Sequence, residues 1–397
     1  MTAAFACSGC SKKTEPGTAA PSTGENHTTA SVDGSEENLQ AQQNKDLPVL
    51  NWEEMSPTGS MELLYADQFS ADYYEDGIAL ITIGDADQFL LLPEGVSAPD
   101  GLPASITILQ KPVKNIYLVA TSAMDDFIRL DALDSIALSG TKETGWYLPE
   151  AKTAMEEGKI AYAGKYSAPD YETIVSSSCE LAVESTMIYH TPEVKEQLER
   201  LGIPVLVERS SYESHPLGRM EWIRLYGLLT GEEEEADQIF QENMNALSDV
   251  LTMKPSGKTA AFFYVTNSGS VNVRKNGDYI AKMIDIAGGT YVPENAGTGE
   301  NALSTMNMDF ESFYAAAKDA DVLIYNSTID GELTTIDELC AKNQLFADFK
   351  AVKEDNVWCT GKNMFQETMG LGDMIRDMNA VFSGNREYAF TYLHQLK

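Results

Sequence analysis

The 397-residue sequence has few basic residues, few histidines and no long apolar run. Lysine and arginine total 28 against 61 acidic residues, which gives a formal net charge of −33. Nucleic acids and anionic membranes are bound through clusters of basic side chains, so this charge argues against both as electrostatic partners. No stretch approaches the roughly 18 apolar residues that mark a membrane-spanning helix. Nucleophile-elbow, Walker and Gly-x-Gly-x-x-Gly patterns are also missing after the predicted strands.

Histidines are too few for an ordinary transition-metal site. His27 and His394 lie near the chain ends, which leaves His190 and His215. Sites for bare metal ions use several imidazoles or thiolates, so we predict no resident metal or other cofactor. His190 and His215 remain candidates for single contacts with iron or cobalt held in a larger ligand.

The first 46 residues differ in composition from the rest. They are rich in Ser, Thr, Gly, Pro and Glu and almost free of large apolar side chains, so they cannot offset the entropy of ordering. Near their start, Ser8-Gly9-Cys10 resembles the end of a bacterial lipoprotein signal, which predicts lipidation of Cys10 and a tether behind it. Only nine residues precede Cys10, and Cys7 stands where leucine is usual, so we expect a truncated signal. Two alternatives are an inert leader and a redox Cys-x-x-Cys pair, and the redox pair requires a βαβ setting that this leader lacks.

Three further cysteines, Cys179, Cys340 and Cys359, are predicted to be small buried hydrophobes. Their spacing leaves a Cys340–Cys359 disulfide open as an alternative.

Two halves of similar design follow the leader. Short β-rich runs at 61–65, 78–83 and 89–93 give way to strands alternating with short helices, a pattern typical of a parallel sheet covered on both faces. The alternation stops over 215–254 and resumes from 258. We therefore predict an N-terminal lobe with a β-rich entry segment over 47–214, a linking helix over 215–254 and a C-terminal lobe over 255–397.

The linking segment contains two helical runs. Met220, Ile223 and Tyr226 recur at helical spacing, and Thr230-Gly-Glu-Glu233 has the pattern of a capping box before the second run. About 22 residues at 1.5 Å per residue would span roughly 33 Å, enough for a rod between two lobes. The predicted fold class is α/β, with two Rossmann-like lobes joined by one long helix.

One short phrase occurs twice, 139 positions apart. Residues 170–178 read Asp-Tyr-Glu-Thr-Ile-Val-Ser-Ser-Ser and residues 309–317 read Asp-Phe-Glu-Ser-Phe-Tyr-Ala-Ala-Ala, and each runs on into a predicted strand. The recurrence indicates a repeated helix-to-strand unit, one in each lobe.

From about residue 110 to 390 the chain resembles the helical-backbone class (class III) of substrate-binding proteins, which serve ABC importers of iron-siderophores, haem and cobalamin. The most specific stretches are 189–208, Tyr-His-Thr-Pro-Glu-Val-Lys-Glu-Gln-Leu-Glu-Arg-Leu-Gly-Ile-Pro-Val-Leu-Val-Glu, and 213–223, Glu-Ser-His-Pro-Leu-Gly-Arg-Met-Glu-Trp-Ile. The order of pieces, with Ala287-Gly-Gly and Asp321-Val-Leu-Ile in the second half, adds to the likeness.

This resemblance implies that Glu172 and Glu311, in the twin phrases, dock onto arginines of a membrane permease, since a carboxylate accepts the guanidinium fork. Two other readings stay open. A glutamate in the first turn of a helix is favoured by the macrodipole alone, and the duplication is also what a common ancestor of the two lobes would leave.

Ligands of α/β sheets gather beyond the carboxyl ends of the strands, and two such edges facing each other would form a cleft. Arginine and aromatic side chains in the loops there suit a flat, partly aromatic, anionic chelate. The predicted ligand contacts are Trp146, Tyr147, Tyr166, Tyr189, His190, Arg209, Tyr212, His215, Arg219, Arg274, Tyr325 and Lys362. The arginines are equally suited to surface ion pairs, and His215 to capping a helix. Trp146 and Tyr147 are expected in the pocket because their turn lies outside a strand.

We therefore expect a monomeric extracytoplasmic binding protein that carries a small-molecule metal chelate to an ABC permease and is held to the outer face of the membrane by a lipid anchor. Two other classes remain. A surface scaffold or adhesin would not need two matched lobes around a cleft. A glycoside hydrolase would need Glu172 and Glu311 within about 10 Å of each other across one pocket.

Overall fold

The computed structural model describes residues 50–85, 87–294, 296–297 and 305–397. The predicted tether over 1–46 and its Cys10 lie outside these residues. The strands of the described part are β1 (Gly59–Ser60), β2 (Phe69–Tyr73), β3 (Ala79–Ile83), β4 (Asp87–Leu92), β5 (Ile106–Gln110), β6 (Ile116–Leu118), β7 (Ile136–Ser139), β8 (Ala161–Tyr162), β9 (Gly164–Lys165), β10 (Ala168–Pro169), β11 (Leu181–Ser185), β12 (Val205–Glu208), β13 (Lys258–Val265), β14 (Val271–Arg274), β15 (Gly289–Val292), β16 (Thr305–Met308), β17 (Val322–Tyr325), β18 (Val357–Thr360) and β19 (Leu393–Gln395).

The α-helices of the same residues are α1 (Met124–Arg129), α2 (Pro149–Glu156), α3 (Tyr171–Ser176), α4 (Pro192–Arg200), α5 (Pro216–Thr230), α6 (Glu233–Thr252), α7 (Tyr279–Ile286), α8 (Phe310–Ala317), α9 (Ser327–Asp330), α10 (Ile336–Lys342), α11 (Lys350–Lys353) and α12 (Leu371–Ser383). None of these helices combines the length and the apolar character that crossing a membrane requires.

Three large sheets organise the fold. The first has the order β1-β2-β3-β4-β5 and is antiparallel up to β4. The second, β12-β11-β6-β7-β8, is parallel throughout. The third, β16-β14-β13-β17-β18-β19 with β15 beside β13, is parallel at its centre and antiparallel at its edges. Parallel sheets bury both faces, so the helices that flank the second and third sheets confirm the predicted α/β class.

One predicted strand is wrong. Residues 61–65 form no strand, although their side chains favour one; Met61 still donates its N–H to the carbonyl of Ala71 in β2 at 2.8 Å. The N–H groups of residues 64–66 instead donate to the carboxylate of Glu221 in α5, at 2.7–2.8 Å. The N–H groups of Asp67 and Gln68 donate in the same way to Glu213. Backbone N–H groups that already donate to side chains cannot also pair with a neighbouring strand.

These contacts fasten the N-terminal sheet to α5, which also packs on α1 of the first lobe and on α7 and α12 of the second. The approach is close. A Cβ atom on Gly218 would lie 2.8 Å from the carbonyl oxygen of Tyr65, which only glycine tolerates without a backbone shift. Helix α5 is therefore the element that all three sheets share.

The predicted capping box is also wrong. Thr230 is the last residue of α5, and its hydroxyl donates to the carbonyl of Tyr226 at 2.8 Å. Gly231 ends the helix in the left-handed conformation at φ 92°, and α6 begins without a side-chain cap. The turn folds α6 back onto α5, so the connection between the lobes consists of two packed helices, of which α6 is the 20-residue rod.

The cysteines of the described residues are free thiols, so the Cys340–Cys359 disulfide is not formed. Cys359 is buried as predicted, whereas Cys179 and Cys340 are only partly buried. Burial raises the pKa of the Cys359 thiol to about 11, which keeps it protonated and unreactive near neutral pH.

A carboxyl group lies inside the core of the first lobe. Glu184 in β11 is fully buried, and neither of its carboxyl oxygens has a hydrogen-bond partner among the described residues. Burial raises its pKa to about 8. At neutral pH the folded protein therefore holds a proton that the unfolded chain, with an ordinary carboxyl pKa, releases.

This proton makes the stability depend on pH in a predictable direction. Below about pH 4.5 Glu184 is protonated in both the folded and the unfolded protein. As the pH rises from there toward 8, Glu184 ionises in the unfolded chain but stays protonated in the folded protein. Ionisation then stabilises only the unfolded state, so the free energy of unfolding falls. We expect Glu184→Gln to raise the melting temperature relative to wild type, and to raise it more at pH 8 than at pH 5. Thermal denaturation at both pH values tests this, with the exposed Glu196→Gln as control. An equal shift at both pH values would contradict the assignment.

Candidate ligand-binding cleft

A cavity of about 470 Å³ is lined by residues of both lobes. It lies where the carboxyl ends of central strands from the second and third sheets face each other. Its described lining consists of Thr121, Ser122, Ser185, Thr186, Met187, Glu208, Ser211, Arg219, Tyr264, Asn272, Arg274, Tyr279, Thr305, Asn326, Thr328, Ile329 and Phe365. Hydroxyl, amide and aromatic groups dominate this lining.

The topology explains the position of the cleft. In the second sheet the chain proceeds outward from β6 in one direction through β7 and β8, and in the other through β11 and β12, so the strand order reverses between β6 and β11. Ser122 follows β6, and Ser185 and Glu208 are the last residues of β11 and β12. In the third sheet, Asn326 directly follows β17. Binding sites of parallel sheets form at such reversal points.

Two arginines from different elements meet at one aromatic ring. The guanidinium carbon of Arg219 in α5 lies 4.2 Å from the ring centroid of Tyr279, and that of Arg274 in β14 lies 6.0 Å from it. Arg274 also lies 5.2 Å from the ring of Phe365. Cation–π contacts of this kind hold long side chains in one orientation. Their N–H groups are thus oriented before a ligand arrives.

Arg274 has a carboxylate beside it, whereas Arg219 is linked to one only through Ser210. A guanidinium nitrogen of Arg274 lies 3.5 Å from Oδ2 of Asp278. Arg219 donates to the carbonyl oxygen of Ser210 at 3.1 Å, and the N–H of Ser210 donates to Oε1 of Glu208 at 2.7 Å. The other carboxylate oxygen of Glu208 accepts from the hydroxyl of Ser122 at 3.0 Å.

A buried polar layer lies beneath the cleft floor. Asp126 and Tyr226 are fully buried. Among the described residues, neither Oδ1 of Asp126 nor the hydroxyl of Tyr226 has a hydrogen-bond partner. Burial, together with repulsion from Asp125 and Glu208, raises the pKa of Asp126 well above its ordinary value. This environment favours the protonated, uncharged form of Asp126.

Comparison with known proteins identifies this arrangement. The family model described as "Periplasmic binding protein" matches residues 118–364, more than half of the chain. The chain belongs to the periplasmic binding protein family. This is a family of extracytoplasmic solute-binding proteins.

Two sequence relatives come from Methanocaldococcus jannaschii. The lipoprotein MJ0878 is 26% identical over 63% of this chain, and the match spans only 60% of that relative's own length. The lipoprotein MJ0872 is 25% identical over 81% of this chain and 82% of the relative. The crystal structure of the periplasmic haem-binding protein HutB of Vibrio cholerae shares the fold, with a TM-score of 0.55 and 14% identity over 66% of this chain and 97% of HutB.

Of the twelve predicted ligand contacts, Arg219 and Arg274 line the cleft of this binding protein. Trp146 and Tyr325 are corrections, since both are fully buried core residues. The indole N–H of Trp146 donates to Ser139, and the ring of Tyr325 packs edge-on against Phe263. Their turn and strand-end positions suggest a pocket, but large rings at these positions fill the space between sheet and helices.

Four more of the predicted ligand contacts lie where the segment before β2 is held to the rest of the protein. They are Tyr189, Arg209, Tyr212 and His215. Arg209 donates twice to the side chain of Gln68, at 2.9 and 3.1 Å, and once to the hydroxyl of Tyr189. Its guanidinium also covers the ring of Tyr212 at 4.7 Å. His215 stacks on Tyr65 at 4.7 Å and accepts the N–H of Leu217 through Nδ1, which is the capping role left open by the sequence. Burial lowers the pKa of His215 to about 4, so this imidazole is neutral.

The other four lie outside the described cleft lining. Tyr147 and His190 are exposed, Tyr166 packs against the core of the first lobe, and Lys362 is partly buried near Phe365.

Sequence reasoning missed Glu208, Tyr264, Tyr279 and Asn326. Three of them carry a usable signal, because they close or directly follow a strand, or begin a helix that follows one. At the end of β17 the sequence reasoning selected Tyr325, which is buried, instead of the next residue, Asn326, which lines the cleft.

The repeated phrase forms two helix starts of the same geometry. Asp170 accepts the N–H and hydroxyl of Thr173 at 3.2 and 2.8 Å, and Asp309 accepts those of Ser312 at 2.7 and 2.8 Å. These hydrogen bonds lower the pKa of both aspartates. Within the caps, Glu172 and Glu311 are exposed. Neither glutamate belongs to the cleft lining that the structure describes, so the cleft lacks the carboxylate pair of the hydrolase alternative.

Direct hydrogen bonds connect the two lobes beside the cleft. The side chain of Gln366 accepts the N–H of Tyr147 at 2.7 Å and donates to the carbonyl of Gly145 at 2.9 Å. The hydroxyl of Thr368 donates to the carbonyl of Ser122 at 2.8 Å. Ser122 thus contacts both Glu208 in the cleft and the opposite lobe.

Replacing Gln366 tests this contact. We expect Gln366→Ala to remove both hydrogen bonds and to raise amide hydrogen exchange over 143–148 at least severalfold, because the N–H of Tyr147 loses its acceptor. Hydrogen-exchange mass spectrometry measures the change, and Gln197→Ala, at a half-buried position of α4, serves as control. Unchanged exchange over 143–148 would show that the two lobes are held together by other contacts.

Proposed function

We propose that this protein is the substrate-binding component of an ABC importer and that it captures a metal chelate, in particular an iron-siderophore, in the cleft between its lobes. The observation that carries the proposal is the cleft itself, which both lobes line at the reversal point of the strand order. Family membership supports a binding role. The resemblance to importers of iron-siderophores, haem and cobalamin supports the class of cargo.

The described cleft suits a chelate better than a bare metal ion. No cluster of three or more His, Cys, Asp or Glu side chains able to hold a metal occurs in the part of the chain that the structure describes. The rings of Tyr264, Tyr279 and Phe365 offer apolar faces, and Met187 and Ile329 offer partly exposed apolar side chains from opposite lobes. A ligand of several hundred Å³ with its own metal ligands fits this combination.

The cleft favours a siderophore over haem. His190 and His215 are both absent from the described lining, so neither supplies an axial imidazole there. Hydroxyl and amide groups from Ser122, Asn272 and Asn326 match the oxygen-rich surface of an iron-siderophore.

Membrane attachment and delivery complete the proposal. Lipidation of Cys10 would hold the protein at the outer face of the membrane, and the two M. jannaschii relatives are named as lipoproteins. Glu172 and Glu311 would then dock onto the permease, one from each lobe, so that the permease senses both lobes at once.

Ligand binding is tested by thermal shift with a panel of chelates. A neutral ferric trihydroxamate, cyanocobalamin and haemin are each added to the purified protein, and one of them should raise the melting temperature, because a ligand bound only by the native state stabilises it. Arg219→Leu with Arg274→Leu should weaken that binding by at least tenfold, since oriented donors are lost. The matched Arg209→Leu removes an arginine outside the cleft and should keep the affinity. No stabilisation by any chelate would contradict the proposal.

Docking is tested by charge reversal. Glu172→Arg and Glu311→Arg should each reduce chelate uptake by cells, and the double variant should abolish it, because arginine repels a basic permease surface. Chelate binding by the purified variants should stay unchanged. Glu193→Arg, also exposed in a helix's first turn but outside the repeated phrase, is the control. Normal uptake by the double variant would assign docking to other residues.

A further inference from the structure

The charges of the cleft cancel one another among the described residues. Two arginines, Arg219 and Arg274, line the cleft. Two carboxylates accompany them: Glu208 lies in the lining and is linked to Arg219 through Ser210, and Asp278 lies 3.5 Å from Arg274. The formal sum is therefore zero, so the arginines do not form an uncompensated anion site.

The compensation is built into the backbone. Asp278 is the N-cap of α7 and accepts the N–H of Ile280 at 2.8 Å, which fixes its carboxylate at 3% exposure. Glu208 is likewise 3% exposed and is held by hydrogen bonds from Ser122 and Ser210. Neither carboxylate can turn away into solvent when a ligand enters.

An anionic ligand would meet an unfavourable field. It could pair with Arg274 only in competition with Asp278, and on approaching Arg219 it would be repelled by the carboxylate of Glu208 in the same lining. The net charge of −33 adds repulsion at longer range.

A neutral ligand meets no such penalty. The arginine N–H groups that face the cleft can donate to neutral carbonyl or hydroxamate oxygens while Arg274 keeps its contact with Asp278 and Arg219 keeps its hydrogen bond to Ser210. Ser185, Thr186, Asn272 and Asn326 supply further donors and acceptors without charge.

We infer that Glu208 and Asp278 are specificity-determining residues that select chelates of zero net charge, such as ferric trihydroxamates, over polyanionic chelates such as ferric tricatecholates. The inference rests on the proposed function and names the class of cargo within it. It also revises the expectation that the arginines of the cleft suit an anionic chelate.

The test measures affinities of the full chain for a neutral ferric trihydroxamate and for a ferric tricatecholate of charge −3, by quenching of tryptophan fluorescence. Wild type should bind the trihydroxamate at least tenfold more tightly. Asp278→Asn releases Arg274 and Glu208→Gln removes the carboxylate of the lining, so each should tighten tricatecholate binding about tenfold or more, and by more than any change in trihydroxamate binding. Asparagine caps a helix as well as aspartate does, so Asp278→Asn should fold normally.

The control is Asp285→Asn, which makes the same chemical change on the exposed face of the same helix and should alter neither affinity. Stronger binding of the tricatecholate by wild type would overturn the inference and leave the proposed function intact, as would variants that gain no affinity for it. If wild type binds neither these two chelates nor cyanocobalamin nor haemin, the proposed function itself fails.

Discussion

The fold depends on how helix α5 buries its charges. The N-terminal sheet and both lobes pack on this helix, so Arg219, Glu221 and the preceding Glu213 lie where water cannot hydrate them. A buried charge is tolerated only with partners. The two glutamates find theirs in the backbone N–H groups of 64–68, and Arg219 finds its own in Ser210 and the ring of Tyr279. One helix thereby fastens the N-terminal sheet and delivers a cation to the cleft.

Residues 213–223, one of the two stretches in which the sequence resemblance is most specific, contain the residues that make these contacts. Residues 213–223 combine the carboxylates that hold the N-terminal segment, the glycine that lets Tyr65 approach and the arginine of the cleft. Each of these residue types is required by a specific contact. This motif therefore serves mainly to join the N-terminal segment to helix α5, and Arg219 is its residue in the described cleft lining.

Alternating strands and helices were predictable from hydrophobic periodicity, and the repeated caps at Asp170 and Asp309 from local chemistry. Tertiary contacts decided the rest. Nothing local distinguishes Arg209, which binds Gln68 141 positions away, from Arg219, which reaches the cleft. The strand expected over 61–65 is absent for the same reason, because the N–H groups of Leu64 and Tyr65 donate to Glu221, more than 150 positions along the chain. Trp146 and Tyr325 show that an aromatic ring near a strand end belongs as readily to the core as to a pocket.

Ligand capture between two lobes is the central claim, and amide hydrogen exchange with and without bound chelate tests it most directly. The account predicts that a chelate slows exchange in both lobes at once, over 185–187 and 208–211 on one side and 326–329 on the other. The grooved surface formed by β7 and α2, whose cavity of about 880 Å³ shares no lining residue with the cleft, should remain unchanged. Protection confined to one lobe, or centred on that groove, would contradict the account.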